Sequence, residues 1–172
     1  MTRLAEKAPG GELTHRALVD FTLRLISDHD PRLSPLIHID WTPAKTSFGK
    51  AQLVPEGWWY SRGGRIAPAK FQQRCRLAEQ PLGIIRISSY LWRYSSPLTR
   101  GETVAHELSH LSDFLDMTEK VGPEKKHWKR SGWSPHGVSW RLWTQRYTGR
   151  VLKRTSGRNQ LNPNLHVLSL QE

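Results

Sequence analysis

The chain has 172 residues, 26 Lys and Arg against 15 Asp and Glu, and a net charge of +11, which fits one compact domain with a single core. Its one cysteine, Cys75, excludes an internal disulfide and a zinc ribbon built on cysteines. No run approaches the roughly 18 apolar residues of a membrane span, and the opening MTRLAEKAPGGELTH lacks the apolar stretch of a secretory signal, so a soluble, cytoplasmic protein is expected.

Residues 1–11 read as a polar leader and 149–172 as a basic, then polar, tail around a folded unit at 12–148. From Glu12 to His29, Leu18, Val19, Phe21, Leu25 and Ile26 recur at helical spacing and predict an amphipathic helix ending before Pro31. Seven prolines between Pro31 and Pro97 separate short apolar runs, LIHIDW (36–41), GKAQLV (49–54) and GIIRIS (83–88), which predict three strands. A proline-free stretch follows. Thr99 and Glu102 match a capping box, so a second helix is expected from Thr99 to about Met117. The stretch 119–135 predicts a long basic loop, 138–147 a further helix, and HVLSL (166–170) a short closing strand.

The second helix carries HELSH. At 100° per residue His106 and His110 lie 40° apart and about 6 Å along the axis, so both imidazoles can reach one ion. Val104, Leu108, Leu111 and Leu115 fall on the opposite side and predict the stripe that packs on the sheet. A catalytic zinc takes three protein ligands and keeps one position open. Glu107, beside His106, is placed to take a proton from water as it attacks a carbonyl. One Zn2+ per chain is expected, with His136 in PHGVSW as the best third ligand, and His127, Glu119 and Glu124 as alternatives. Asp113, three residues after His110, is either a partner for a ligand imidazole or an ordinary exposed aspartate.

The charge is uneven. Residues 1–119 hold 15 Lys and Arg and 13 Asp and Glu, whereas residues 120–172 hold 11 Lys and Arg against Glu124 and Glu172 alone. Such asymmetry points to a polyanion, nucleic acid before a membrane surface, which is also attracted to it. Lys125, Lys126, Lys129, Arg130, Arg141 and Arg146 are the candidate phosphate contacts, and Trp128 and Trp133 the candidate base-stacking platforms. Trp140 and Trp143 are expected in the core.

GIIRISSYLW, TVAHELSH and HGVSW together resemble the SprT-like zinc metallopeptidases, a family that includes a protease of DNA–protein crosslink repair. The resemblance spans roughly residues 13–147, with its weight on 83–143. It implies zinc on His106, His110 and His136, with Glu107 as catalytic base. It also implies a small α+β zincin-like fold: an N-terminal helix, a short antiparallel sheet, the HExxH helix and a C-terminal helix. There GIIRIS would edge the cleft and bind an extended peptide by strand addition. The 25 residues between His110 and His136 exceed the usual span in that family, so 119–135 looks like a basic insertion. The resemblance thus implies a zinc endopeptidase acting on DNA-bound or crosslinked proteins and associated with the nucleoid. The alternative is a non-catalytic nucleic-acid-binding module with a structural metal.

Overall fold

The computed structural model describes residues 15–54 and 82–153. The leader, the expected start of the first helix at 12–14 and the expected closing strand at 166–170 lie outside the described residues.

Helix α1 (His15–His29) turns Leu18, Phe21 and Ile26 into the core and leaves Val19 and Leu25 partly buried at its margin. Pro31 ends it by opening a 3-10 turn, Pro31–Leu36, because proline lacks the N–H a continuing helix needs. Strands β1 (Ile37–Thr42), β2 (Gly49–Val54) and β3 (Leu82–Ser88) form one sheet in the order β1-β3-β2. β1 runs parallel to β3 and β2 antiparallel to it.

Two expectations change here. The sheet is mixed rather than wholly antiparallel, because β1 and β2 flank β3 and the short connection between them reverses the chain, so only one of the two can oppose it. Residues 43–48 therefore cross the end of β3. Ser88 fastens them there, its N–H donating to Phe48 O (2.7 Å) and its hydroxyl to Ala44 O. The strand GIIRIS is also central, paired on both sides, so it offers no edge for strand addition. Its near-continuous apolar run has that reason: Ile84, Ile85 and Ile87 are all buried, as in a strand covered on both faces.

Ser88 also caps the short helix α2 (Ser89–Arg93), accepting from Leu91 N at 3.0 Å. Helix α3 then runs from Pro97 to Val121. Its cap is Ser96, which accepts from Thr99 N at 3.1 Å. Thr99 is thus the third helical residue rather than the cap. Pro97 occupies the first position, where a missing N–H costs nothing, so the proline that suggested a boundary belongs to the helix. Gly122, at φ 104°, ends it.

The segment 119–135 is not one long loop. It holds the last residues of α3, three connecting residues and a helix, α4 (Lys125–Arg130). Trp128 anchors α4 at 2% exposure, its indole N–H donating to Gly122 O at 2.6 Å. Helix α5 (Val138–Thr148) buries Trp140, Trp143 and Tyr147, as expected of the two tryptophans. Val104, Leu108, Leu111 and Leu115 are buried on α3, in keeping with the predicted stripe.

Arg32 ties the 3-10 turn to α3. Its guanidinium bonds both oxygens of buried Asp30 (2.8 and 3.0 Å), Asp116 Oδ1 (2.8 Å) and Glu119 Oε2 (3.1 Å). Asp116 in turn accepts from Trp143 Nε1 at 2.7 Å, bringing in α5. The Asp30 and Asp116 carboxylates raise the Arg32 pKa against its partial burial. Arg32→Ala leaves a buried carboxylate without its counter-charge and is expected to cost about 2–3 kcal/mol in chemical denaturation. Arg32→Lys restores only part, lacking the planar fork. A change below about 0.5 kcal/mol for Arg32→Ala would place the junction's stability elsewhere.

Candidate metal centre

Helix α3 is seated on the sheet through two glycines. A Cβ on Gly83 would come within 3.0 Å of Leu111 Cδ1, and one on Gly49 within 2.8 Å of Glu107 Cγ. The bare backbone of β2 at Gly49 therefore lets α3 approach closely and packs Glu107 against the strand, where it is 5% exposed.

On the other side of α3 the three histidines meet. The Nε2 atoms are 3.2 Å apart between His106 and His110, 3.1 Å between His110 and His136, and 3.4 Å between His106 and His136. His106 and His110 stand one helical turn apart, and His136 comes from the residues just before α5. Gly137 makes that approach possible. A Cβ there would collide with the Ser134 hydroxyl at 2.7 Å in a turn closed by Gly137 N–H to Ser134 O (3.0 Å).

This triangle fits a metal ion. Three ligand nitrogens at about 2.0–2.1 Å from a tetrahedral zinc lie about 3.3 Å from one another, close to the separations found. Burial and neighbouring imidazoles also favour the neutral, coordinating form. Burial first, then His136, lowers His106 to about 4; burial first, then His106, His136 and Lys125, lowers His110 to about 2. Glu107, next to His106 in sequence, lies against Gly49 of β2, and burial pushes its carboxyl up to about 8. A cation at the triangle would draw that value down again.

Aromatic rings wall the site. Trp140 packs against all three imidazoles, with ring centres 4.8 Å from His106, 5.5 Å from His110 and 4.7 Å from His136. Phe114 stacks on His110 at 5.7 Å and on Trp128 at the same distance. Lys125 Nζ lies 4.4 Å from the Phe114 ring centre.

The alternative third ligands lie elsewhere. His127 is part-exposed beside Glu124 (4.0 Å), Glu119 bonds Arg32, and Glu124 pairs with Lys126 at 2.8 Å. Among the described residues His106, His110 and His136 are the group placed to share a metal. Asp113 is fully buried rather than exposed, and accepts the Trp133 indole N–H at 2.8 Å instead of an imidazole N–H. Lys125, Lys126, Lys129, Arg130, Arg141 and Arg146 are exposed on α4 and α5. The tryptophan platforms need correction. Trp128 is core, because its indole fills the space over Phe114. Trp133 is half-buried against the same core with its N–H committed to Asp113. Trp128 therefore presents no face to a base, and Trp133 keeps only part of its ring exposed.

Sequence reading missed Gly49 and Trp140 as parts of the site. A glycine opening a strand was the available signal for the first, since it often marks close approach of another element. Trp140, the last residue of HGVSW, was legible only as core.

Compared with protein-family profiles, curated proteins and solved structures, the chain has no match. Fold and site together define a small α+β domain of zincin-like architecture, with a histidine cluster suited to a divalent metal.

His136→Ala is expected to abolish binding of one zinc per chain, with His127→Ala retaining it, by elemental analysis. Because depressed pKa values keep His106 and His110 neutral well below pH 6.5, proton competition is weak. Zinc affinity is expected to fall about tenfold from pH 7 to 5.5, against roughly several hundredfold for three exposed imidazoles titrating near 6.5. A loss of the larger size, by chelator competition, would contradict the burial argument.

Proposed function

We propose that this protein is a zinc-dependent endopeptidase of the SprT-like type, acting on proteins held on DNA. The observation that carries the peptidase reading is the pairing of a three-histidine triangle with a buried glutamate from the same helix. A purely structural site would need no carboxylate there.

Bound in the triangle, zinc would supply Lewis acidity, acidifying water and polarising a carbonyl. Glu107 accepts the proton of the attacking water on a carboxylate oxygen and delivers it to the leaving amine nitrogen. Gly49 fixes where that carboxylate stands. β2 is the strand next to Glu107 and lies at the sheet edge among the described residues, so it is the strand along which an extended peptide would lie. His106, His110 and His136 hold the ion, and the Trp140 ring keeps them from rotating away.

The DNA part rests on charge. Ten of the eleven Lys and Arg after residue 119 are spread from α4 into the tail, and α4 packs beside the site through Trp128, Phe114 and Lys125. This would keep a nucleic acid backbone close to the catalytic residues. With no aromatic platform on α4, the contact would be to phosphate more than to bases.

Glu107→Gln is expected to lower peptide hydrolysis by about 100-fold or more with zinc content unchanged; wild-type digestion by this variant would remove Glu107 as the base. Gly49→Ala should lower hydrolysis by about tenfold while zinc affinity changes less than about twofold, because the added Cβ displaces Glu107 and touches no histidine. Neutralising Lys126, Lys129 and Arg130 together is expected to weaken DNA binding and reduce its salt slope by about 2–3. An unchanged slope by fluorescence titration would put DNA elsewhere or nowhere.

A further inference from the structure

His136 reaches the triangle after a 25-residue excursion from His110. A side chain at the end of so long a connection is not held in place by helix geometry, as His106 and His110 are, and something else must fix it. Three contacts close the excursion in sequence. Trp128 sits in the core and donates to Gly122 O at 2.6 Å, Trp133 N donates to Trp128 O at 3.1 Å, and the Trp133 indole N–H donates to Asp113 Oδ2 at 2.8 Å. The last of these returns to α3.

The two partners are matched in position. Asp113 is three residues after His110 and so lies on nearly the same face of α3. Trp133 is three residues before His136, just outside the Ser134–Gly137 turn. One hydrogen bond thus spans from the helix that carries two of the imidazoles to the turn that carries the third. Asp113 is 0% exposed, and a carboxylate taken so far from water persists only where it is bonded. Burial, the largest influence, raises its pKa, and hydrogen bonds from the Ser139 hydroxyl, three residues beyond His136, and the Trp133 N–H act in the opposite direction.

We infer that Asp113 and Trp133 are positioning residues for His136, locking the 119–135 segment to α3 so that the third nitrogen is in place before a metal arrives. The inference rests on the metal-site reading above. It gives the segment a role apart from its charge: its tryptophans are turned inward to set the site rather than outward to stack on bases.

The test uses the full chain and metal alone. Trp133→Phe keeps an aromatic ring while removing the N–H donor together with the pyrrole half of the indole. Asp113→Asn keeps an acceptor oxygen, and Asp113→Ala removes it. Zinc affinity would be measured by competition with a chromophoric chelator, coordination by the visible absorption of the cobalt(II) form, and folding by thermal melts of the metal-free proteins. Trp133→Phe and Asp113→Ala are expected to weaken zinc by about 10–100-fold and to alter the cobalt bands. Asp113→Asn is expected to recover most of the affinity. Trp133→Phe also trims a ring packed against Phe114 and Trp128, so its metal-free melt is expected to fall somewhat, whereas the cobalt spectrum reports geometry whatever the melt does.

Wild-type zinc affinity and wild-type cobalt bands in Trp133→Phe would overturn the inference while leaving the metal site standing. So would Asp113→Asn as weak as Asp113→Ala, which would make charge rather than the bond the cause. A wild-type protein that takes up neither zinc nor cobalt would instead bring down the metal reading, and this inference with it.

Discussion

The close seating of α3 on the sheet is the constraint on which the rest depends. Leu108 and Leu111 are fully buried beneath the helix, and the absence of side chains at Gly49 and Gly83 lets it settle onto β2 and β3. That contact fixes the rotation of α3 about its axis. With the apolar stripe turned to the sheet, His106 and His110 have to emerge on the opposite side. Glu107, between the two directions, is pressed onto β2. One packing decision therefore places both histidines and the glutamate.

The side of α3 away from the sheet is covered as well, by α5 and the residues leading into it. This is unusual chemistry for a surface of three imidazoles. Water is largely replaced there by Trp140 and Phe114, and a low-polarity surrounding penalises imidazolium. A cation shared by the three ring nitrogens, 3.1–3.4 Å apart, would hold them together in their neutral form. The basic residues of α4 work against protonation in the same direction, since Lys125 adds to the factors that disfavour a charged His110. Charge in this segment thus acts locally on the site as well as toward a polyanion.

Sequence reading failed once over a local choice of helix start and otherwise over contacts between separate parts of the chain. Thr99 and Glu102 satisfy a capping pattern, yet Ser96 with Pro97 is the stronger start, and both Thr99 and Glu102 are buried against other parts of the fold. Two prolines and two glycines in 119–135 suggested an irregular loop. The core contact of Trp128 overrode that tendency and folded KKHWKR into a helix. The run GIIRIS was legible as a strand, but an apolar run does not say whether it is an edge or a centre, because that depends on which strands arrive on either side.

By itself the sequence determined the register of HELSH within a helix, the stripe opposite it and the inward placement of Trp140 and Trp143, all of which follow from the 3.6-residue period and from side-chain size. It could name His136, His127, Glu119 and Glu124 as possible third members of the cluster, without geometry to choose. Tertiary structure made that choice, by engaging Glu119 with Arg32 and Glu124 with Lys126, leaving His127 at the surface and bringing His136 within 3.4 Å of both partners. The physical reason is separation along the chain. Within a helix a spacing of four fixes direction and distance together, whereas across 25 residues the end point is set by how Trp128, Trp133 and Asp113 pack and bond. No local pattern encodes that result.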